Sequence, residues 1–184
     1  MEPPVVTRRR RPFLALVWVT ILGGLIAAGI GLAVFGSART TVVVLVRPVE
    51  KELGTIDDPP LSPEGEQRAQ RLAQMFGAAK GAGGLDALYV SDVRRAQQTA
   101  APLADRLGIR PVVVAANDVV GAAARVMREH DGGTVLIIAS GNTLPQLVRE
   151  LSGLEIGINE DEPNTLYIVS LPTFGHPNML RLKY

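Results

Sequence analysis

Thr40-Thr41-Val42-Val43-Val44-Leu45-Val46 is an unbroken run of β-branched and aliphatic residues that ends against Arg47-Pro48. A strand with one wet face alternates apolar and polar residues. This run does not, so it predicts a strand buried on both faces of a mostly parallel sheet. Downstream, Ser62 with Pro63 behind it opens a helix to about Met75, with Ala69, Leu72, Ala73 and Phe76 on its buried face. Leu85 to Val90 reads as a second strand. Ser91 or Asp92 then caps a helix to Leu107, striped by Ala96, Ala100, Leu103, Ala104 and Leu107 and stopped by Gly108. The alternation continues with a strand at Val112–Ala115, a helix at Val119–Glu129, a strand at Thr134–Ala139, a helix at Leu144–Leu151 and a strand at Leu166–Leu171. Met179–Leu182 adds an edge strand. The pattern predicts an α/β fold with helices on both faces of the sheet. Ligands in such folds meet the loops that leave the carboxyl ends of strands, here beginning at Arg47, Ser91 and Ser140.

Upstream of the first strand the solvent changes. From Leu14 to Phe35 there are 22 residues without a charge, and at about 1.5 Å per residue a helix of that length covers roughly 33 Å, enough to cross a bilayer. Arg8, Arg9, Arg10 and Arg11 precede the run and only Arg39 follows it before the first strand. That imbalance places the N-terminus in the cytoplasm and the rest of the chain outside it, in the periplasm of a Gram-negative cell. A cleaved leader ending at Gly36-Ser37-Ala38 is the competing reading. Its apolar region would be about 7 to 15 residues, and this one is longer, so an uncleaved anchor is expected. The expected organisation is a basic N-terminus over 1–12, a transmembrane helix over 13–36 and one soluble domain over 40–184, with the lipid bilayer as first partner. Within the anchor Gly24, Ala28 and Gly31 recur on one face, with Ala27 beside them. Small residues allow a second helix to approach closely, so an integral-membrane protein complex is the expected second partner.

Composition removes several function classes. With 19 basic and 18 acidic side chains the net charge is +1, too little to attract nucleic acid. Cysteine is absent, which excludes disulfides, thiolate metal sites and a thiol nucleophile. No cluster of ligands suggests a metal, and no cofactor is expected. Gly81 to Gly84 lacks the Gly-Lys-Ser/Thr of a phosphate loop and reads as a linker. Asp57-Asp58, between Ile56 and Pro59, reads as a solvated turn.

Four segments, in order, carry a resemblance. Leu45-Val46-Arg47 and Leu61-Ser62-Pro63-Glu64-Gly65 are similar to the opening of the histidine phosphatase (phosphoglycerate mutase-like) superfamily. Ser91-Asp92-Val93-Arg94-Arg95-Ala96-Gln97-Gln98-Thr99-Ala100 resembles its Ser-x-x-x-Arg-Ala-x-x-Thr-Ala signature, and Thr134 to Pro145 its last strand and turn. The likeness runs over essentially 40–184 and is nearest the small single-domain branch.

The resemblance implies a nucleophilic histidine directly after the first arginine, and that position is Pro48. It implies a second histidine near the last turn, where Ser140 stands, or Asn142 if the match is shifted. Both catalytic histidines are thus replaced. The arginines implied as phosphate clamps are present as Arg47 and Arg95, and with Asn142 they form the expected site for a phosphate-like anion. Their alternative use is pairing with Glu50 or Asp92. The family's proton donor has Asp118 as its nearest candidate in position, with Glu50 behind it. His130, at a helix end, and His176, in a Gly-His-Pro turn, are not expected to replace the lost pair. Ser140 lacks the Gly-x-Ser-x-Gly elbow of hydrolases. The expected function is a membrane-anchored, inactive member of the family acting as an interaction or accessory subunit. A phosphatase with non-standard groups and an anion or phospho-ligand sensor are the alternatives.

Overall fold

The computed structural model describes residues 12–36, 39–48, 58–78, 84–157 and 165–184, with the side chains of 12–16 and 33–36 outside that description. It divides into two units, Met1–Ala38 and Arg39–Tyr184.

In the first unit α1 runs from Pro12 to Gly36. Trp18, Val19, Leu22, Leu25, Ile26, Ile30 and Leu32 are all exposed on it, so it is apolar on every side. Among the described residues no helix is long and apolar enough to cross a membrane; the side chains described on α1 run only from Val17 to Leu32.

The second unit is a six-stranded mixed sheet between helices. Its elements are β1 (Thr40–Val46), α2 (Pro63–Gly77), β2 (Ala87–Ser91), α3 (Arg94–Leu107), β3 (Val112–Val114), α4 (Val119–Glu129), β4 (Thr134–Ile138), α5 (Leu144–Ser152), β5 (Thr165–Pro172) and β6 (Asn178–Lys183). The strand order is β3-β2-β4-β1-β5-β6. Four strands are parallel, but β5 runs antiparallel to β1, and β6 antiparallel to β5. The antiparallel pair corrects the expectation of a mostly parallel sheet to a mixed one. A hairpin links β5 to β6, and a two-ended turn can join only antiparallel neighbours.

Alternate residues of the central strands feed two cores. Val43 and Leu45 of β1, Ala87 and Tyr89 of β2, and Val135 and Ile137 of β4 pack with α4 and α5 on one face. Val44, Val46, Leu88, Val90, Leu136 and Ile138 pack with α2 and α3 on the other. This explains why the central strands show no polar alternation. Each fully buried aliphatic side chain contributes roughly 1.5–3 kcal/mol of transfer free energy.

The layering also positions the crevice. β1 leads to α2 on one face, whereas its neighbour β4 leads to α5 on the other. Connections that part to opposite faces open a cleft between the carboxyl ends of adjacent strands. That point lies between Arg47 and Ser140.

Candidate functional site

Register sets the site's floor. Val46, Ile138 and Val90 are neighbours across β1, β4 and β2, and the Ala139 N–H donates to the Val46 carbonyl at 3.1 Å. Arg47, Ala139 and Ser91 therefore leave the sheet at one level. At about 4.8 Å per strand the ends of β1 and β2 are roughly 10 Å apart.

Arg47 reaches across to the turn after β4. A side-chain carbon at Gly141 would come within 3.2 Å of the Arg47 Nε and Nη2, so the guanidinium can lie against this turn because residue 141 has no side chain. Its charge also reaches Tyr167 of β5: burial raises the Tyr167 phenol above its ordinary value and Arg47 partly offsets that rise. Pro48 follows, half-buried.

The turn itself is closed by hydrogen bonds. The N–H groups of Thr143 and Leu144 both donate to the Ser140 carbonyl at 3.0 Å. The hydroxyls of Ser140 and Thr143 are 2.5 Å apart, and Thr143 donates to the Ala116 carbonyl at 3.2 Å. A hydroxyl has one proton. The Thr143 proton has both the Ser140 hydroxyl and the Ala116 carbonyl within reach, and the Ser140 hydroxyl is engaged inside the turn. Asn142 is exposed and lines a separate cleft of about 320 Å³ with Pro145, Gln146, Arg149, Glu155 and Ile156.

Arg95 is the second residue of α3. It is half-buried, and its Nε is buried without a hydrogen-bond partner. The helix start differs from expectation: the N-cap is Val93, whose side chain makes no cap bond. The Asp58 carboxylate supplies the cap instead, accepting the Arg94 N–H at 2.9 and 3.2 Å. Asp58, exposed in a bend as expected, is thus also a remote cap. Asp92, expected as cap, accepts the Ala116 N–H at 3.1 Å and ties β2 to the loop before α4. The pairing partner Glu50 lies outside the described residues. Asp118, the candidate proton donor, is the N-cap of α4 and accepts the Gly121 N–H at 3.0 Å.

Two further unpartnered buried oxygens stand at this same edge: the hydroxyl of Ser91, at the end of β2, and that of Thr165, at the start of β5. Sequence reasoning missed both, since a hydroxyl's partners are set by whatever folds against it.

The two histidines lie elsewhere. His130 caps the carboxyl end of α4, at the amino edge of the sheet, with its Nε2 3.1 Å from the Tyr89 hydroxyl. The rings meet edge to face at 5.7 Å and 84°. His176 is in the β5–β6 hairpin at that same amino edge.

The family model of the histidine phosphatase superfamily (branch 1) matches residues 46–118, a span that holds Arg47, Arg95 and the connection between them. By sequence, a comparison with curated proteins finds no match. Among solved structures, the protein histidine phosphatase SixA complexed with tungstate shares the fold at TM-score 0.64 and 21% identity, over 77% of this chain and 96% of that one. A phosphoglycerate mutase from Plasmodium falciparum shares it at 0.57 and 16%, over 78% and 91%. A mycobacterial glucosyl-3-phosphoglycerate phosphatase bound to VO3 does so at 0.56 and 17%, over 78% and 98%. The chain thus matches the histidine phosphatase superfamily in sequence from the end of β1 to the cap of α4 and shares its α/β fold over the whole sheet.

Proposed function

We propose that this protein is a membrane-anchored, catalytically inactive member of the superfamily that serves as an interaction or accessory subunit of a membrane protein complex. The observation that carries the inactive reading is the placement of the histidines. The two in the chain, His130 and His176, sit at the amino edge of the sheet, a strand length away from Arg47 and Arg95. Covalent phosphoryl transfer needs a nucleophile within reach of the phosphorus. Pro48 has none, and the Ser140 hydroxyl is engaged with Thr143 inside the turn, with neither histidine beside it.

The apolar surface of α1, exposed on every side, supports the anchor, and Arg8–Arg11 support an N-terminus in the cytoplasm with the α/β unit outside it. Gly24 and Gly31 have open space around them, which suits a partner helix drawn from a larger assembly.

A second reading has its own observation. Among the described residues three buried polar atoms have no hydrogen-bond partner at the edge of the sheet where Arg47 stands: Ser91 Oγ at the end of β2, Thr165 Oγ1 at the start of β5 and Arg95 Nε at the start of α3. Buried donors are nearly always satisfied, so a phosphate-like ligand that accepts from them would complete the site. The protein would then sense an anion without converting it.

The test is an assay of the full chain in detergent with a phosphomonoester. No turnover above background is expected, and turnover abolished by Ser140→Ala would overturn inactivity. Titration with inorganic phosphate, read against Arg95→Ala, decides whether the sensor reading stands. For the accessory role, leucine at Gly24, Ala28 and Gly31 together should release the protein from its complex while it still inserts.

A further inference from the structure

The amino edge of the sheet carries the one aromatic residue of the Arg39–Tyr184 unit that is mostly in solvent among the described residues: Phe174, 60% exposed. It is at the tip of the β5–β6 hairpin, in Pro172-Thr173-Phe174-Gly175-His176-Pro177. Prolines bracket this tip, and Gly175 turns it at φ 110°, a conformation that side chains disfavour. The ring is therefore presented to solvent by a stiff turn.

The tip is tied to a particular residue. The Thr173 N–H and hydroxyl both donate to the Arg39 carbonyl, at 2.8 and 2.9 Å, and the Arg39 N–H donates to the Thr173 hydroxyl at 3.2 Å. Arg39 is the third residue after Gly36, the last of α1. In sequence, the base of this tip therefore bonds a residue three positions after the end of an apolar helix.

We infer that the tip over 172–177 docks on the lipid bilayer, with Phe174 entering the boundary between headgroups and acyl chains; this rests on the membrane reading of α1. Aromatic rings favour that boundary. The edge has both charge signs, Arg39 with Asp86 and Asp131, so the ring and not a field selects the surface. A protein partner is a poorer fit, because a stable interface buries about 1,200 Å² or more and one ring supplies a small part of that. A bilayer contact needs little, since the anchor already holds the unit at a high effective concentration near lipid. Docking would fix the orientation of the unit and turn the opposite edge, with Arg47 and Arg95, away from the membrane.

The full chain is placed in vesicles of phosphatidylcholine and phosphatidylglycerol containing acyl-brominated lipid, which quenches nearby tryptophan. Trp18 is the single native tryptophan and reports on the anchor. A Trp18→Phe background carrying Phe174→Trp reports on the tip, and the same background with Val113→Trp, on the exposed edge strand β3, is the control. Expected are a blue shift and loss of emission for the wild type and for the reporter at 174, with the reporter at 113 unchanged. If Trp18 is quenched and the reporter at 174 is not, the docking is wrong and the anchor stands. Equal quenching at 174 and 113 also overturns docking by this tip. If Trp18 itself is unquenched, the membrane reading fails and the inference falls with it.

Discussion

At the amino ends of the central strands polar groups answer one another. His130 meets Tyr89, the Asp86 carboxylate accepts the Thr134 N–H at 2.6 Å, and Glu129 pairs with Arg125 and Arg128 at 3.0 and 3.1 Å. At the opposite edge of the sheet Ser91, Arg95 and Thr165 each hold a buried polar atom without a hydrogen-bond partner among the described residues. Both ends share one pair of cores, so the difference lies in their loops and not in the stability of the strands. A saturated network fixes structure. An unsaturated one carries a desolvation cost.

The largest effect should come from the layer that joins the two ends. Ile137, 1% exposed at the middle of β4, should lose about 2–5 kcal/mol on Ile137→Ala through lost burial and an added cavity. Urea unfolding followed by hydrogen exchange should show both ends opening together; one end surviving would mean that they are separate cooperative units.

Next in size is the remote cap. Asp58→Ala leaves the Arg94 N–H without its acceptor and should cost about 1 kcal/mol, read as a lower urea midpoint at unchanged slope. An unchanged midpoint would remove Asp58 from the start of α3.

A matched pair addresses the contrast most directly. Tyr89→Phe breaks the bond to His130 and should cost about 1 kcal/mol, whereas Ser91→Ala removes a hydroxyl with no partner and should be neutral or stabilising. Equal losses in the two variants, measured by denaturation, would erase the distinction between a finished and an unfinished end.

The smallest effect concerns pH. Glu129 titrates below its ordinary value because Arg125, and after it Arg128, hydrogen-bond to its carboxylate. A depressed folded value means that the pair's stabilisation is present above the ordinary glutamate range and is lost as pH falls through the folded value. Between about pH 5 and about pH 3 the wild type should lose slightly more thermal stability than Glu129→Gln. Both groups are on the surface, so added salt should shrink that gap. A gap that ignores both pH and salt would show the pair to be without energetic consequence.

Local patterns were decisive wherever neighbours in sequence are neighbours in space. The helix Val119–Glu129 was legible to the residue from its local apolar period, whereas Asp118, read as a candidate proton donor, proved to be its N-cap. The Ser62 cap with Pro63 was equally legible: its hydroxyl accepts the Gly65 N–H at 3.1 Å. So was β1, since burial on two faces leaves no polar alternation to mislead. The absence of histidine from positions 48 and 140 needed no structure at all. Other features depend on partners far along the chain. Asp58 caps a helix that begins 36 residues later, β5 lies antiparallel beside β1, more than a hundred residues away in sequence, and Thr143 reaches the Ala116 carbonyl from another loop. Spacing and propensity determine which segments become strands and helices, since those are short-range free energies. Which hydroxyl is satisfied, and which carboxylate caps a distant helix, are decided by long-range packing alone.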